Sequence, residues 1–281
     1  MIFVHLRGGL GNQMFQFAAG YALARKVNGE VSIILTSAMG DTQRKYELNN
    51  FIDINSHYTC RRQLAFEMFF RFISLLKIKK SFYEKNAFIY DPAFFDIGRN
   101  VNIFGYFQSE KYFKFIRKDI LNIFKFKGAS DPNYLEVVRK IQASNSVSVH
   151  IRRGDYVLNK TANAFHGVLS IAYYKKALNH IKANVAKPKI FLFSDDPEWV
   201  RKNFSFIGRF DLVDFNRGEL SYRDMELMSL CKHNIIANSS FSWWGAWLNL
   251  NKDKIVIAPK KWLRDESVPL NDIIPESWVS L

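Results

Sequence analysis

Three short polar segments hold most of the side chains in this 281-residue sequence that could do chemistry. The first has the sequence HIRRGDY and occupies residues 150–156. Two adjacent guanidinium groups beside a glycine can bind a phosphate bidentately without a metal ion. The alternative role for Arg152 and Arg153 is a solvated ion pair with Asp155.

The second segment, SDDP at residues 194–197, contributes two carboxylates. Asp196 is followed by Pro197 and Glu198, which is typical of a helix N-cap, so we expect Asp196 to cap a helix. Asp195 has either a structural or a binding role. Two acids without a third ligand nearby are too few to indicate Mg²⁺, and the sequence predicts no metal site.

The third segment, NSSFS at residues 238–242, leads into an aromatic helix with the sequence SWWGAWL. The hydroxyl groups of Ser239 and Ser240 and the free amides of a helix N-terminus would meet at one point, which favours an anion. Plain helix capping is the alternative. The three tryptophans are expected to pack the helix onto a sheet rather than to bind a sugar.

A glycine-rich turn, GGLGNQM at residues 8–14, follows an apolar run near the N-terminus. It departs from the dinucleotide-binding fingerprint because Met14 stands where the last Gly or Ala would be, so a dehydrogenase is not favoured. The turn is predicted to present Asn12 and Gln13 from a strand end toward a crevice. A simple connection between strand and helix is the alternative.

The elements that would position these segments alternate between strand and helix, which predicts an α/β protein with doubly wound parallel sheets. Strands are expected at residues 2–6, 31–35, 146–151, 189–193, 212–215, 234–237 and 254–258. Helices are expected at residues 14–26, 173–184, 198–204 and 222–231. The three polar segments follow predicted strands, at the end of the sheet where such folds bind ligands. A turn-rich stretch at residues 127–133 predicts a domain boundary.

Composition and charge narrow the class of protein. Apolar residues make up 48% and charged residues 23%, which is typical of a folded globular chain. Two distant cysteines, no signal peptide and no apolar run of membrane-spanning length predict a cytoplasmic protein. A formal charge of +14 predicts an anionic partner, and nucleic acid, anionic lipid and a sugar nucleotide all fit. The basic, aromatic residues 61–85 are expected to form a helix that packs in its own domain or lies on anionic lipid.

The motifs together resemble those of glycosyltransferase family 11, the bacterial α-1,2-fucosyltransferases, and more distantly the α-1,6- and protein O-fucosyltransferases. The resemblance is carried by GGLGNQMFQ at 8–16, HIRRGDY at 150–156, FSDD at 193–196 and NSSFSWWGAW at 238–247. It implies a GT-B-like fold of two Rossmann-like α/β domains with the active site in the cleft between them. Residues 1–130 would form the acceptor-side domain and residues 131–281 the domain that binds GDP-fucose.

The same resemblance implies an activity. The protein would transfer L-fucose with inversion from GDP-β-L-fucose to a terminal galactose, in α-1,2 linkage, without a metal or other cofactor. The acceptor would be a β-galactoside-terminated oligosaccharide or a lipid-linked glycan of O-antigen or another surface-glycan pathway. The inner face of the bacterial plasma membrane is then a candidate peripheral contact. A fucosyltransferase of another linkage and a basic nucleic-acid-binding α/β protein are the alternatives, and the oligomeric state is left open.

Individual roles also follow from the resemblance. Arg152 would bind the β-phosphate and act in catalysis, and Arg153 would support the loop. His150 and Asp224 would hold the guanine, because a carboxylate accepts from both N1–H and the 2-amino group; a first-turn helix acid is the alternative for Asp224. The remaining donor-site residues would be Asp195, Ser239, Ser240 and Phe241, and the acceptor or cleft residues would be Asn12 and Gln13.

One departure from the related enzymes concerns the general base. Some α-1,6 relatives carry a Glu five residues after the motif Asp, where this chain has Lys160. The base therefore cannot be carried over, and a β-phosphate oxygen could accept the proton instead. Asp155 is a candidate base, although its other candidate role is to hold Arg152 and Arg153 in place.

Overall fold

The computed structural model describes residues 1–35, 45–52, 54, 58–61, 80–265 and 267–281. These residues divide into two compact units. The first comprises Met1–Lys127 and Leu270–Pro275, and the second comprises Gly128–Pro269 and Glu276–Leu281. The chain leaves the first unit inside the turn-rich stretch 127–133 and later returns to it, a return that the sequence did not indicate.

A five-stranded parallel sheet forms the centre of the first unit. Its strands are β1 (Ile2–Leu6), β2 (Val31–Leu35), β3 (Tyr58–Arg61), β4 (Lys80–Tyr83) and β5 (Val101–Phe104), in the spatial order β3-β2-β1-β5-β4. Helix Leu10–Lys26 joins β1 to β2 and is buried on most sides. Gly20 permits this close packing, because a Cβ there would overlap a methyl group of Val4 on β1. The unit also contains helix Arg117–Ile123 and the 3-10 turns Leu48–Asn50, Pro92–Asp96, Glu110–Tyr112 and Lys114–Ile116.

Two expectations for this unit are corrected. The first helix begins at Leu10 rather than at Met14, so the predicted glycine turn is already its first turn. The prediction of a helix over residues 61–85 is wrong at both described ends, since Arg61 ends β3 and Lys80–Tyr83 forms β4. Pairing of β4 with β5 and of β3 with β2 overrides the local helical pattern. Residues 62–79 lie outside the described part of the chain.

A six-stranded parallel sheet forms the centre of the second unit. Its strands are β6 (Asn145–Ile151), β7 (Pro188–Ser194), β8 (Asp211–Val213), β9 (His233–Ile235), β10 (Val256–Ala258) and β11 (Val279–Ser280), in the order β11-β10-β9-β6-β7-β8. Its helices are Pro132–Gln142, Gly154–Leu158, Lys160–His166, Ile171–Asn184, Pro197–Asn203, Tyr222–Leu230 and Ser240–Leu248, with 3-10 turns at Ser205–Ile207 and Gly218–Leu220. The strands and helices expected after residue 145 are thus confirmed to within a few residues. Asp131, within the turn-rich stretch 127–133, belongs to a structured helix start, since its side chain caps Pro132–Gln142.

The two faces of this sheet are packed differently. Val147, Val149 and Ile151 on β6 face an apolar core that includes helix Ile171–Asn184. On the opposite face, helices Pro132–Gln142 and Tyr222–Leu230 pack against β7 and β8. Helix Ser240–Leu248 packs against helix Tyr222–Leu230, and its tryptophans 243, 244 and 247 are all buried. The tryptophans are thus packing residues, as expected, and they contact one another and Trp278. Among the described residues, no helix is long and apolar enough to cross a membrane.

Candidate active site

The arginine and aspartate segments leave the second sheet side by side. Strand β6 pairs with β7 in a register that sets Ile151 opposite Ser194. The next residues of each strand, Arg152 and Asp195, therefore emerge at the same carboxyl edge. This edge brings together residues that are 42 and 43 positions apart in the sequence.

Asp195 holds the arginine loop through both carboxylate oxygens. Its Oδ2 lies 2.8 Å from Nη1 of Arg152, and its Oδ1 accepts a 2.8 Å hydrogen bond from the backbone N–H of Arg153. Gly154 leaves room for this contact, because a Cβ there would lie 2.7 Å from Oδ2 of Asp195. The structure thus gives Asp195 the task of orienting the loop, the task that the sequence offered to Asp155. The side chain of Asp155 lies outside the described part of the structure, so its role as a base stays a prediction.

Asp196 caps a helix, as predicted, and also orients Arg153. Its Oδ1 accepts the backbone N–H of Trp199 at 3.1 Å, and its Oδ2 lies 3.1 Å from Nε of Arg153. The Arg153 guanidinium is 3.8 Å from the centre of the Trp199 ring. Arg153 is therefore enclosed by a carboxylate and an aromatic face, which suits a supporting residue. Trp199 was not predicted as a site residue, although its position in the first turn after the cap was a usable signal.

Asp195 and Asp196 each form an ion pair with an arginine. Among the described residues, no group of three or more His, Cys, Asp and Glu side chains could hold a metal ion. Independence from a metal stays a prediction, which an experiment must decide.

Helix Ser240–Leu248 begins at the same edge. Ser239 occupies its N-cap position, but the Ser239 hydroxyl makes no capping hydrogen bond, so the capping alternative for this side chain is wrong. The first turn has no acidic residue to neutralise the positive end of the helix dipole. Asn238 fixes the approach to the helix by donating to the carbonyls of His166, Gly167 and Trp262. The N-terminus is thus suited to an anion.

His150 is the last inward-facing polar residue of β6. It is buried, and its ring centre lies 5.9 Å from that of Phe241. Burial lowers the pKa of His150 to about 4, with the Asp195 charge opposing and the Arg152 charge adding to the shift, so the imidazole is neutral at pH 7. Its Nδ1 has no hydrogen-bond partner among the described residues. A neutral ring of this kind can exchange hydrogen bonds with a nucleobase but cannot neutralise a phosphate.

Asp224 lies in the first turn of helix Tyr222–Leu230, which packs against helix Ser240–Leu248. A Cβ on Gly245 would lie 3.0 Å from Cβ of Met228, so glycine permits the close contact of the two helices. Each helix starts beyond the carboxyl end of a parallel strand, so Asp224 and Ser240 lie at one edge of the sheet. Oδ1 of Asp224 accepts a 2.8 Å hydrogen bond from Asn216. Burial raises the pKa of Asp224 to about 7, although Asn216 opposes the shift.

The two residues predicted for the first unit differ in accessibility. Gln13 is buried, donates to the carbonyls of Gly8 and Lys45 at 2.9 Å, and accepts from the N–H of Glu47 at 3.0 Å. Its amide is therefore committed to the backbone and does not project as expected. Asn12 is partly buried, and its Oδ1 accepts from Gln108 at 2.8 Å. Whether either residue contacts an acceptor stays a prediction.

A cluster of polar residues that was not predicted from the sequence lies at the carboxyl edge of the first sheet. Glu84 follows β4 and accepts hydrogen bonds from the N–H groups of Tyr106 and Phe107, and Arg7 follows β1 with its guanidinium 4.1 Å from the centre of the Tyr106 ring. Burial raises the pKa of Glu84 to about 7, although the two N–H groups and Arg7 oppose the shift. The position of Arg7 at a predicted strand end was a usable signal. Glu84 had no such signal, because β4 was expected to be helical.

A separate cavity of about 380 Å³ lies in the second unit beside Asn238. Gly167, Tyr173, Lys261 and Arg264 are among its lining residues. None of the predicted donor-site residues lines it.

The sequence profile described as Glycosyl transferase family 11 matches residues 1–281. The chain belongs to this family. It is 35% identical to an Escherichia coli O-antigen biosynthesis glycosyltransferase, WbnK, over 98% of this chain and 99% of that protein. It is also 35% identical to an Escherichia coli alpha-1,2-colitosyltransferase, over 100% and 99% of the two chains. A mouse galactoside 2-alpha-L-fucosyltransferase, Sec1, is 27% identical over 88% of this chain and 64% of its own length.

Solved structures support the fold of this glycosyltransferase. The fucosyltransferase NodZ from Bradyrhizobium superposes with a TM-score of 0.52 at 14% identity, covering 87% of this chain and 91% of NodZ. Arabidopsis thaliana FUT1 superposes with a TM-score of 0.51 at 11% identity, covering 91% and 69%. The predicted GT-B fold class, with parallel α/β sheets, is confirmed, as is the resemblance to the family.

Proposed function

We propose that this glycosyltransferase transfers L-fucose from GDP-β-L-fucose, with inversion, to the 2-hydroxyl of a terminal galactose. The observation that carries the proposal is the Arg152–Asp195 pair beside the N-terminus of helix Ser240–Leu248, which has no acidic residue in its first turn. An oriented guanidinium and a helix N-terminus at one sheet edge suit a diphosphate.

The arginine pair would act on the departing group. As the bond between the sugar and the β-phosphate breaks, negative charge develops on the phosphate oxygens. Arg152 is already oriented by Asp195, so it can stabilise that charge with little rearrangement. The acceptor hydroxyl would attack the opposite face of the anomeric carbon and lose its proton to a β-phosphate oxygen or to Asp155. In this proposal no metal ion takes part.

The choice of guanine would rest on Asp224 and His150. An ionised carboxylate accepts from the two adjacent N–H donors of guanine, and adenine offers no such pair. The raised pKa of Asp224, about 7, means that the free carboxyl is only partly ionised at neutral pH. Guanine binding would then draw the proton off, and GDP affinity would depend on pH.

The biological setting follows from the bacterial relatives. One is named for O-antigen biosynthesis and matches nearly the full length of the chain. We therefore propose a surface glycan as the acceptor, presented as a lipid-linked oligosaccharide in the cytoplasm at the inner face of the plasma membrane. The excess of basic residues, +14 in formal charge, would suit both the nucleotide and an anionic membrane.

Colitosyl transfer is the second candidate, favoured by the equally similar alpha-1,2-colitosyltransferase. Colitose is fucose without its 3-hydroxyl group, so the two donors differ by one hydrogen-bonding group. A site that hydrogen-bonds this hydroxyl rejects the deoxy sugar strongly, whereas a site that leaves it in water does not.

Product analysis tests the proposal. The protein is incubated with GDP-fucose or GDP-colitose and a panel of β-galactosides, and the linkage of each product is determined by methylation analysis and NMR. A fucosyl-α-1,2-galactose product supports the proposal. Preference for GDP-colitose establishes the second candidate, another linkage corrects the acceptor position, and no transfer from either donor rejects both.

A further inference from the structure

The first sheet has a topological switch point between β1 and β5. From β1 the chain proceeds outward through β2 and β3, whereas β5 and β4 lie on the other side. Loops that follow neighbouring strands at such a point diverge and leave a crevice, which is where open α/β sheets bind ligands. Arg7 follows β1 at this point, and Gly105 and Tyr106 follow β5.

Glu84 fixes the turn on the β5 side. Its carboxylate accepts the N–H of Tyr106 at 2.6 Å, and both of its oxygens lie 2.9 Å from the backbone N of Phe107. Gly105 is required here, because a Cβ would lie 2.5 Å from Oε2 of Glu84. Phe107 has a φ of +53° and is buried, a conformation that an aromatic residue adopts only when its surroundings impose it. The hydrogen bonds that Glu84 accepts from this turn are such a constraint.

The turn at residues 105–107 determines which hydrogen-bond donors lie at the switch point. Gln108 follows Phe107 and donates from Nε2 to Oδ1 of Asn12 at 2.8 Å. Because this hydrogen bond engages the amide oxygen of Asn12, the other polar atom of its side chain is Nδ2, which is a hydrogen-bond donor. The Arg7 guanidinium lies 4.1 Å from the centre of the Tyr106 ring. This contact holds the N–H groups of Arg7, a second set of donors, beside β1. None of the ion pairs between described residues includes Arg7, and its Nε has no hydrogen-bond partner among them.

The local charge indicates the kind of ligand. Arg7 supplies one positive charge, and the Glu84 carboxylate lies close enough to interact with it electrostatically. This part of the carboxyl edge therefore carries little net charge and is rich in donors, with an aromatic ring beside it. A neutral polyhydroxyl ligand, whose hydroxyl oxygens accept hydrogen bonds, fits this chemistry better than a phosphate.

We propose that Arg7 and Asn12 donate hydrogen bonds to hydroxyl groups of the acceptor sugar, and that Glu84 is the positioning residue that orients them. The inference deepens the proposed function and rests on it for the identity of the sugar. Glu84 acts through the turn at residues 105–107 and does not itself touch the sugar.

Two variants and one control test the proposal. Glu84→Gln replaces one acceptor oxygen by a donor that opposes the backbone N–H groups, and Arg7→Lys retains the charge but loses the planar donor array. Each is expected to raise the KM for the β-galactoside by about tenfold or more, in line with the loss of a charge-assisted hydrogen bond. The KM for GDP-fucose and its hydrolysis rate without acceptor should change less than about twofold. Glu30→Gln, at an exposed glutamate of the same unit, should change none of these.

A direct binding measurement separates this inference from the proposed function. Saturation-transfer NMR with methyl β-galactoside and GDP should show binding to the wild type and to Glu30→Gln, and loss of binding in both test variants. Binding without sugar transfer would reject the proposed function and leave this site standing. Transfer with an unchanged galactoside KM in Arg7→Lys, or an equal rise in both KM values, would overturn the inference. If Glu84→Gln melts at a much lower temperature than the wild type, Arg7→Lys alone decides.

Discussion

Replacing Asp224 by Asn should make the fold more stable and GDP binding weaker, two effects that a structural acid would not show together. Asp224 is half-buried and has one described hydrogen-bond donor, Asn216, at 2.8 Å. Burial raises its pKa to about 7 from an ordinary carboxyl value of 3.8. The charged form is therefore disfavoured in the folded protein, as expected for a group that awaits a ligand.

The sign of the stability effect follows from proton binding. Between about pH 4 and pH 7 the folded state holds the Asp224 proton more tightly than the unfolded state does. The free energy of unfolding therefore falls as the pH rises through that window, and above it the ionised carboxylate costs roughly 4 kcal/mol at most. Asn retains the shape and avoids the charge. The variant should be more stable than the wild type at pH 8, and the two should converge near pH 4.

The ligand effect has the opposite sign. An amide can accept from only one of the guanine donors and turns its own N–H₂ toward the base, which should cost roughly 1 to 3 kcal/mol of GDP binding at pH 8. Pyrophosphate, which has no base, should bind both proteins equally. With a pKa of about 7, only about one tenth of the wild-type carboxyl is ionised at pH 6, so the wild-type Kd for GDP should rise about fivefold from pH 7 to pH 6. The variant should lack this pH dependence.

Calorimetry measures all of these quantities. Titrations with GDP and with pyrophosphate at pH 6, 7 and 8 give the affinities, and thermal unfolding gives the stability. Asp253→Asn, at an exposed aspartate of the same unit, is the control. If Asp224 is only a first-turn acid that favours the helix dipole, the Asn variant should lose a little stability and bind GDP normally. That result, or equal losses for the two ligands, would refute the guanine assignment.

Three further predictions concern the proposed phosphate site. Arg152→Lys should lower kcat by about a hundredfold or more with an unchanged circular dichroism spectrum, since the planar donor pair is lost; near-normal turnover would show that the phosphate is held elsewhere. GDP should raise the melting temperature in the presence of EDTA, and a strict requirement of turnover for Mg²⁺ would contradict the metal-free mechanism. Gly154→Ala should weaken GDP binding about tenfold by displacing Asp195 from Arg152, whereas Gly128→Ala, where a Cβ meets no atom within 4 Å, should be neutral.

Much of the second unit could be predicted because its elements are local in origin. The buried strands β6 and β7 are short apolar runs, and the Asp196 cap is encoded by three consecutive residues. The positions of the polar segments at strand ends then followed from the general geometry of parallel sheets. The partners of the arginines did not follow. Asp195 and Asp196 hold them, because the register of β6 against β7 brings a distant segment alongside.

The first unit was harder to predict because it depends on long-range pairing. The local sequence of β4 is typical of a basic aromatic helix, and it forms a strand because it pairs with β5. Asp272 returns from late in the sequence to lie 2.5 Å from Lys111 and to accept the N–H of Tyr90. Neither contact leaves a local signal. The Glu84 turn was missed for the same reason, since its importance depends on residues 22 and 23 positions away.

The polar face of β6 explains why the candidate active site lies at the carboxyl end of that strand. Along this face, Ser146 and Ser148 accept hydrogen bonds from Lys232 and Asn234, and Asn234 in turn accepts from Asn249. A buried polar row is tolerated only where its members bond to one another. His150 continues the row at the carboxyl end, and there Nδ1 finds no partner among the described residues. Because an unsatisfied buried acceptor or donor is unfavourable, a ligand that hydrogen-bonds His150 gains affinity at this end of the row, beside the proposed phosphate site.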